Sequence, residues 1–275
     1  MCDAQMSFIF ARVAITAGLL VVFSALCWSQ GVLQALPPDT PETCHARSQI
    51  MEKWLEDWPN LAWYQVANRE LLPTEAAGIR VVFMGDSITY FWDLDKYFPG
   101  QRYVNRGIGG QTTPQMLLRF RQDVVALKPT AVVILAGTND IGGNTGPLSL
   151  EEIEDNFRSM AEIAAANNIA VVFSSVLPVN NYTESSQRFY AERPAYKILS
   201  LNDWLKSYTL SHHDTYLDYY SHMLDGKGML AGTLADDGLH PNANGYRVMA
   251  DLAQKAIAQV VSIRRGLEQP CNSAH

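Results

Sequence analysis

Five short apolar runs, each separated from the next by a longer amphipathic stretch, constrain the fold of this chain more than any other feature. Short buried strands that alternate with helices pair in parallel through right-handed crossovers. The chain is therefore predicted to form an α/β fold, a three-layer α/β/α sandwich around a parallel sheet of about five strands in flavodoxin-like order. The predicted strands are Ile79–Met84, Arg102–Asn105, Ala131–Ala136, Ala170–Ser175 and Thr215–Asp218, and the predicted helices are 112–127, 150–168, 188–210 and 243–264.

The stretch from Val81 to Tyr90 has the pattern of a strand that ends in Gly85-Asp86-Ser87 and turns into a helix. β-branched and aromatic residues bounded by a glycine are typical of a strand buried on both faces. Ser87 would then lie at the carboxyl edge of the sheet, where open α/β sheets bind ligands and where the first helical amides are unpaired donors. This position suits a nucleophile, although the same serine could serve only as a helix N-cap.

Four polar stretches follow predicted strands or lie in late loops, where the carboxyl edge of the sheet would gather them. Each stretch is weak alone, because glycine clusters are usually turns and an asparagine after a strand usually caps a helix. The four stretches are Gly85-Asp86-Ser87, Asn105–Thr112, Gly137–Asp140 and Asp237–Asn242.

In this order and spacing, the four stretches resemble the SGNH (GDSL-type) hydrolase family. The resemblance covers the chain from Val81 to Ala250 and leaves all four blocks intact. The part from Asn105 to Asn139 looks most like the branch that includes platelet-activating-factor acetylhydrolase catalytic subunits. One departure is that Ile88 follows the serine where the family motif has leucine, which leaves the reacting atoms in place.

The resemblance implies a role for each matching residue. Ser87 corresponds to the nucleophile, and Asp237 and His240 correspond to the other members of a catalytic triad. Ser87, Gly110 and Asn139 correspond to the donors of an oxyanion hole. The chemistry requires such a set independently, because a serine hydroxyl needs a base within about 2.6–3.2 Å and an ester oxyanion needs preorganised donors.

Metal, α/β-hydrolase and dinucleotide sites are the alternatives for these polar stretches. Asp237 and His240 could be metal ligands, but two residues make an incomplete set, and the nearest additions, at 212–214, belong to another predicted region. An α/β-hydrolase would need Gly-x-Ser-x-Gly, and position 89 is threonine. No Gly-x-Gly-x-x-Gly follows the first strand, so a nicotinamide or flavin enzyme is not expected. The sequence therefore predicts neither a cofactor nor a metal.

The N-terminal residues differ in composition from the rest of the chain and predict export. An apolar run from Val13 to Trp28 follows Arg12 and leads to small and polar residues, as in a secretory signal peptide. An uncleaved anchor is the alternative, although a membrane span needs about 20 apolar residues. We predict a signal peptide at 1–30, a linker and N-terminal helical arm at 31–78, and an SGNH hydrolase domain at 79–275 that is secreted or periplasmic and has no stable membrane span.

The predicted arm is expected to pack against the domain and to be fastened to it. Trp54, Trp58 and Trp63 occur at near-helical spacing, which favours tryptophans that pack on the domain over an aromatic ligand site. The predicted signal peptide contains two of the four cysteines, which leaves Cys44 and Cys271 in the mature chain. An even pair in an exported protein favours a disulfide, and this pair would join the start of the arm to the end of the domain.

Composition narrows the partners and the substrates. The 275-residue chain has 21 basic and 28 acidic residues, a net charge of −7, so no basic face is expected for nucleic acid. The predicted function is a serine esterase that acts through an acyl-enzyme on small-molecule esters, such as acetyl esters of carbohydrates or small lipids. A lysophospholipase or thioesterase of the same family, and a catalytically silent carbohydrate- or lipid-binding protein, remain open alternatives.

Two segments and one sequon bear on substrate size and processing. Long-chain substrates need an extended apolar groove, and the segments that could form one, Val179–Arg193 and Ser221–Leu234, are rich in polar and small residues. This composition favours short acyl groups. Asn181-Tyr182-Thr183 is an acceptor sequence for N-glycosylation, which matters only in a eukaryotic source.

Overall fold

A parallel sheet forms the centre of the structure, which is a computed structural model that describes residues 45, 48, 52, 55–71 and 79–268, the last five by backbone only. The described residues form the strands β1 (Arg80–Gly85), β2 (Arg102–Gly107), β3 (Ala131–Leu135), β4 (Ala170–Ser174) and β5 (Thr215–Leu217). All pairings are parallel, and the strand order is β2-β1-β3-β4-β5. The predicted α/β class and flavodoxin-like order are confirmed.

Helices cover both faces of the sheet, because the side chains of the strands alternate between two apolar layers. The described residues form the helices α1 (Gln65–Leu71), α2 (Ser87–Tyr90), α3 (Leu94–Tyr97), α4 (Thr113–Asp123), α5 (Thr138–Ile141), α6 (Leu150–Ala166), α7 (Glu184–Glu192), α8 (Ala195–His212) and α9 (Ala243–Glu268). Val81 and Phe83 pack in the layer that contains α9, whereas Val82 and Met84 pack in the layer that contains α4, α6 and α8. Full burial of each such side chain contributes roughly 1.5–3 kcal/mol.

Two predicted helices differ from the observed ones, each for a local reason. The helix predicted over 188–210 is divided into α7 and α8 at Pro194, which has an extended conformation with φ of −61° and ψ of 133°. Proline has no N–H and its ring clashes with the preceding turn, so one helix cannot continue through it. The helix predicted over 112–127 ends at Asp123 and is followed by a 3₁₀ turn from Val125 to Leu127.

The described part of the predicted arm begins in a turn and ends in α1. Asp57 closes the turn, because its carboxylate accepts the amides of Leu61 at 2.7 Å and Ala62 at 2.9 Å. Trp63 is 54% exposed, so its ring does not pack into the domain as expected. Asn68, in α1, is buried and donates to Asp123 Oδ1 of α4 at 2.6 Å. Side-chain contacts of this kind join the arm to the domain.

Several sequence predictions fall on residues that the structure does not describe. The predicted signal peptide at 1–30 and both cysteines of the predicted disulfide, Cys44 and Cys271, lie outside the described residues. The signal peptide, the domain boundaries and the disulfide therefore stay predictions. Within the described part of the chain, no helix combines the length and the apolar character that crossing a membrane requires.

Candidate active site

Ser87 lies where β1 turns into α2. Asp86 caps this helix, because its Oδ1 accepts the Ile88 amide at 2.9 Å. Asp86, and not Ser87, is therefore the N-cap, and the capping alternative for Ser87 does not hold. Gly85 permits the sharp turn, since a Cβ at this position would lie 2.7 Å from the carbonyl oxygen of Leu135. The hydroxyl of Ser87 is left at the carboxyl edge of the sheet, free of a capping role.

His240 and Asp237 reach Ser87 from the loop that precedes α9. Ser87 Oγ is 2.9 Å from His240 Nε2, and His240 Nδ1 is 2.6 Å from Asp237 Oδ2. An ionised carboxylate only accepts hydrogen bonds, so Nδ1 carries the proton and Nε2 accepts the hydrogen of the Ser87 hydroxyl. The structure thus brings the three predicted triad residues into one hydrogen-bonded chain.

Asp237 is also held by the backbone of its own loop. Its Oδ1 accepts the amides of Leu239 at 2.9 Å and His240 at 2.7 Å. Partial burial raises the pKa of Asp237, but the hydrogen bonds from the His240 side chain and from these two amides outweigh it, so the pKa lies below its ordinary value. The carboxylate therefore stays ionised at neutral pH and can orient the imidazole.

Gly238 gives the Asp237–His240 loop its shape. It has a φ of +81°, a left-handed conformation that favours glycine. A Cβ here would lie 2.5 Å from Ser186 Cβ and 2.6 Å from Asn180 Oδ1, and the Gly238 carbonyl oxygen accepts the Asn180 amide at 3.1 Å. The glycine between the acid and the base thus lets the loop pack closely on its neighbours, which the spacing of the motif alone did not show.

Gly110 and Asn139 lie in the segments after β2 and β3, the two strands that flank β1 in the sheet. Gly85, Gly107 and Leu135 are in register across β1, β2 and β3, so the segments that follow these strands leave the same edge of the sheet. Gly110 has a φ of +76°, which suits glycine. Asn139 Nδ2 donates to the carbonyl oxygen of Gln111 at 3.1 Å, which leaves the second N–H of this amide for another acceptor.

Gln111 connects the segment 108–112, which we call the oxyanion loop for its predicted role, to the N-terminal arm. Its Nε2 donates to the carbonyl oxygen of Pro59 at 2.8 Å and to Asn60 Oδ1 at 3.2 Å. Its Oε1 accepts from Arg119 Nε at 2.6 Å, and Arg119 is fully buried in an ion pair with Asp123 at 2.9 Å. Gln111 belongs to the second polar stretch of the sequence, which predicts no role for it. The arm contacts were missed because Pro59 and Asn60 lie 52 and 51 residues from Gln111, and Arg119 was missed because it is an ordinary charged residue of a predicted helix.

Arg193 was also missed, and it contacts Asn139 from the opposite end of the amide. Its side chain is 3% exposed, and its Nη2 donates to Asn139 Oδ1 at 3.4 Å while its Nε donates to Thr138 Oγ1 at 3.1 Å. Its Nη1 pairs with Glu192 at 3.2 Å. The guanidinium fills the space beside Gly142, where a Cβ would lie 2.6 Å from Nη2. No short sequence pattern predicts the contact between Arg193 and Asn139, because Arg193 lies at the break between α7 and α8.

Two buried carboxyl groups accompany the site. Burial raises the pKa of Asp86 to about 7 and that of Asp140 to about 6. Asp140 Oδ1 accepts from the amide of Thr113 at 2.8 Å and from its hydroxyl at 2.5 Å. Among the described residues, Oδ2 of each carboxyl group has no hydrogen-bond partner. Burial disfavours the ionised form of both groups, and the hydrogen bonds that Asp86 accepts from Ile88 and Asp140 accepts from Thr113 offset only part of this effect.

Aromatic rings flank the candidate base. The ring of Phe91 lies 5.6 Å from the His240 ring at an interplanar angle of 79°, and the ring of Phe189 lies 6.3 Å from it at 88°. Tyr90 packs on Phe91 at 5.3 Å, and Trp63 of the arm packs on Tyr90 at 6.1 Å. The imidazole is thus bordered by two aromatic rings as well as by its hydrogen-bond partners.

Metal-ligating side chains do not cluster in the described part of the chain. Over 45, 48, 52, 55–71 and 79–268, no three His, Cys, Asp or Glu side chains come together in a way that could hold a metal ion. Asp237 and His240 consequently have no further ligand from this part of the chain, and their contacts are with each other and with Ser87.

Known proteins share both the sequence pattern and the fold. The GDSL-like lipase/acylhydrolase family matches residues 83–248. A candidate acylhydrolase from Bacteroides fragilis is 41% identical, with a TM-score of 0.69 over 74% of this chain and 99% of the other. Esterase TesA of Pseudomonas aeruginosa is 28% identical over 62% of this chain and 84% of its own length. A candidate platelet activating factor protein from Streptococcus pneumoniae, 24% identical with a TM-score of 0.65 over 77% of this chain and 98% of the other, shares the fold.

The family match covers more than half of the chain, from the end of β1 to the start of α9, and includes Ser87, Gly110, Asn139, Asp237 and His240. The chain belongs to the GDSL-like lipase/acylhydrolase family and is a carboxylic ester hydrolase.

Proposed function

We propose that the protein is an exported serine esterase that hydrolyses short-chain esters through an acyl-enzyme on Ser87. The observation that carries the proposal is the chain of hydrogen bonds from Ser87 Oγ to His240 Nε2, at 2.9 Å, and from His240 Nδ1 to Asp237 Oδ2, at 2.6 Å. These hydrogen bonds connect a nucleophile, a base and a group that orients the base.

The first half of the reaction forms the acyl-enzyme. His240 Nε2 takes the hydroxyl proton while Ser87 Oγ forms a bond to the ester carbonyl carbon, and the carbonyl π electrons move to its oxygen. Asp237 stabilises the imidazolium that results. The bond from carbon to the alcohol oxygen then breaks, and the proton on Nε2 passes to that oxygen.

The second half regenerates the serine. Water, deprotonated by His240, attacks the acyl carbon, and the Ser87 oxygen leaves with the proton. In both halves the negative oxygen needs donors, and the amides of Ser87 and Gly110 with the side-chain amide of Asn139 are proposed for this role. The contact of one Asn139 N–H with the Gln111 carbonyl oxygen supports it, because it orients the amide and leaves the other N–H available.

Short acyl groups, such as acetyl esters of carbohydrates or small lipids, are the proposed substrates. Asn180, in the segment that could have lined a long groove, is buried and donates to the carbonyl oxygen of Leu230 at 2.9 Å. This contact joins the segments 179–193 and 221–234 through polar groups. Such packing supports a small acyl site over a continuous apolar channel.

Export, to the periplasm or outside the cell, is proposed from the signal-peptide pattern at 1–30. A measurement of the N-terminal residue of the protein recovered from the extracellular or periplasmic fraction tests it. A start within the first few residues of the chain would contradict cleavage.

A series of 4-nitrophenyl esters from acetate to octanoate tests the reaction and the acyl preference together. We expect kcat/KM to be highest for acetate, to fall with chain length, and to be unaffected by a chelator. Rates that rise with chain length would instead support a lysophospholipase or thioesterase. Loss of activity with a chelator, restored by a metal, would support a metal site at Asp237 and His240. No turnover of any ester by the folded protein would support the silent binding protein.

A further inference from the structure

An exposed row of aromatic rings extends from His240 to the N-terminal arm. Phe91 is 59% exposed, Tyr90 43% and Trp63 54%, although large aromatic side chains are normally mostly covered. Each ring contacts the next edge-on, with interplanar angles of 79° for Phe91 and His240, 64° for Tyr90 and Phe91, and 71° for Trp63 and Tyr90. We call these three residues, Trp63, Tyr90 and Phe91, the aromatic row.

The aromatic row is held rigidly relative to the nucleophile. Tyr90 and Phe91 follow Ser87 in and directly after α2, where the Tyr90 amide donates to the Asp86 carbonyl oxygen at 2.8 Å and the Phe91 amide donates to that of Ser87 at 3.0 Å. The backbone of this helix therefore sets the positions of both rings and of the hydroxyl. Exposed rings on a rigid support lose little conformational entropy when a ligand packs on them.

The arm places Trp63 beside this helix through its neighbour Tyr64. Tyr64 Oη donates to the carbonyl oxygen of Gly107, at the end of β2, at 2.5 Å, and its ring lies 4.5 Å from the buried Arg106 guanidinium. The Trp63 amide donates to the Asn60 carbonyl oxygen at 3.1 Å. The arm is thus anchored on both sides of Trp63, while the indole itself is left uncovered.

The proposed mechanism decides which part of an ester would meet the aromatic row. His240 must donate its Nε2 proton to the alcohol oxygen when the acyl-enzyme forms, so the alcohol part leaves along the His240 side of the site. The aromatic row begins at His240, the group that protonates the alcohol oxygen in the proposed mechanism. The aromatic row therefore belongs to the alcohol side of the site.

The chemistry of the aromatic row selects among alcohols. Its three side chains carry no positive charge, and the chain as a whole has a net charge of −7. An alcohol or thiol part that carries a negative charge, such as one with a phosphate group, would therefore be repelled. A sugar ring is neutral and presents a face of C–H groups with partial positive charge, which packs on the electron-rich face of an aromatic ring. The phenol of Tyr90 adds a group that can exchange hydrogen bonds with sugar hydroxyls.

We propose that Trp63, Tyr90 and Phe91 form a subsite for a neutral sugar ring, the alcohol part of the ester. This inference rests on the proposed serine-esterase function and names its substrate as an O-acetylated carbohydrate. The N-terminal arm then supplies a substrate-binding side chain, Trp63, in addition to its contacts with the oxyanion loop.

Esters that share one acetyl group and differ in the alcohol test the proposal. Kinetics are measured on ethyl acetate and on a mono-O-acetylated methyl xyloside for the wild-type chain, Trp63→Ala, Trp63→Phe and Tyr90→Ala. Tyr196→Ala is the matched control, because Tyr196 is 66% exposed and its ring is not part of the row. Circular dichroism and thermal unfolding verify that each variant is folded.

The expected result is a selective loss for the sugar ester. An aromatic contact contributes about 0.5–1.5 kcal/mol, so Trp63→Ala and Tyr90→Ala should each raise KM for the sugar acetate by roughly 2- to 12-fold more than for ethyl acetate. Trp63→Phe should recover part of the loss, and Tyr196→Ala should leave both substrates unchanged.

Two results would overturn the subsite. Equal losses on both acetates would show that the aromatic row has no part in recognising the alcohol. A loss that grows with acyl length, when the same variants are assayed on the 4-nitrophenyl esters from acetate to octanoate, would assign the row to the acyl group. Ser87→Ala, assayed on ethyl acetate, separates these outcomes from failure of the proposed function. If this variant loses the activity of the wild-type chain, the serine mechanism stands whatever the aromatic row binds.

Discussion

The proposed triad and the proposed oxyanion side of this site are built in different ways. The proposed triad consists of three side chains that all remain partly accessible, with 26% of the His240 side chain and 41% of the Asp237 side chain exposed. Asn139 on the oxyanion side is 4% exposed, and the arginines around it, Arg193 and Arg119, are 3% and 0% exposed. The proposed triad is a short series of hydrogen bonds near solvent, whereas Asn139 is supported by a buried polar network.

This difference corresponds to what each side has to do. In the proposed mechanism the triad moves a proton between Ser87, the alcohol and water, so its imidazole has to be reachable by substrate and solvent. Oxyanion donors stabilise charge best when they are oriented in advance and do not reorganise during the reaction. The buried contacts of Asn139 with Gln111 and Arg193 provide such orientation, at the cost of burying a guanidinium.

Ser87→Ala is expected to have the largest effect, because it removes the atom that forms the covalent bond. We expect kcat to fall by about 10⁴-fold or more while thermal unfolding is unchanged. His240→Ala should be nearly as severe, and the double variant should lose little beyond either single one, because the triad acts as a unit. Steady-state kinetics on 4-nitrophenyl acetate measure this. Substantial activity in a folded Ser87→Ala protein would contradict the serine mechanism.

Asn139→Ala tests the oxyanion side at its centre. Removing one oxyanion donor costs about 10²–10³ in kcat, with KM changed much less, because the interaction strengthens in the transition state. Comparison of kcat and KM on the same ester provides the measurement. A variant with raised KM and unchanged kcat would make Asn139 a ground-state binding residue instead.

Arg193→Met tests whether the buried network orients Asn139. A hydrogen bond from a charged group contributes about 1.5–3 kcal/mol, so a loss of its orienting effect should lower kcat by at least roughly tenfold. Arg188→Met is the matched control, because Arg188 also pairs with Glu192, at 2.6 Å, but is exposed and makes no contact with Asn139 among the described hydrogen bonds.

A double-variant cycle separates orientation from simple destabilisation. If Arg193 acts through Asn139, adding Arg193→Met to Asn139→Ala should lower kcat little further. Arg193→Lys keeps the charge and should retain part of the activity if the variant is folded. Fully additive losses, or equal losses for Arg188→Met, would assign Arg193 a structural role only.

The pH dependence of stability is the smallest predicted effect and concerns the buried carboxyl groups. The pKa of Asp86 is raised from 3.8 to about 7, so between these values the folded protein keeps a proton that the unfolded chain releases. The free energy of unfolding contributed by this group is therefore fully present below pH ~4 and is lost as the pH rises through about 7. Asp140, with a pKa raised to about 6, acts in the same direction.

Asp86→Asn isolates this contribution. The amide oxygen can still accept the Ile88 amide, so the cap is kept while the ionisation is removed. Urea unfolding at pH 5 and pH 7.5 should show that the variant loses less stability with rising pH than the wild-type chain, by ~1–2 kcal/mol. Parallel pH dependence in the two proteins would mean that Asp86 is ionised in the folded state.

Much of the fold and of the proposed triad could be predicted from the sequence. The parallel sheet follows from the alternation of apolar runs and amphipathic stretches, because parallel strands require crossovers. Ser87 follows a buried strand and a glycine, and Asp237 and His240 are three residues apart, but only the order and spacing of the four polar stretches together carried the family resemblance that assigned their roles. The break at Pro194 was also a local signal, and the prediction of one helix over 188–210 was wrong because it gave the hydrophobic spacing more weight than the missing N–H.

Tertiary structure alone decided which residues support the site. Pro59 is 52 residues from Gln111 and Arg193 is 54 residues from Asn139, and Pro59, Arg119 and Arg193 are ordinary polar or turn residues until the fold brings them to the oxyanion side. Trp63 was expected to be covered, and only its contact with Tyr90 in the folded chain shows that it extends a row of exposed rings from His240. The physical reason is that each residue of the proposed triad lies in a short motif that can be read along the chain. The burial and orientation of the residues around Asn139 depend instead on side chains that meet only after the sheet and its helices have packed.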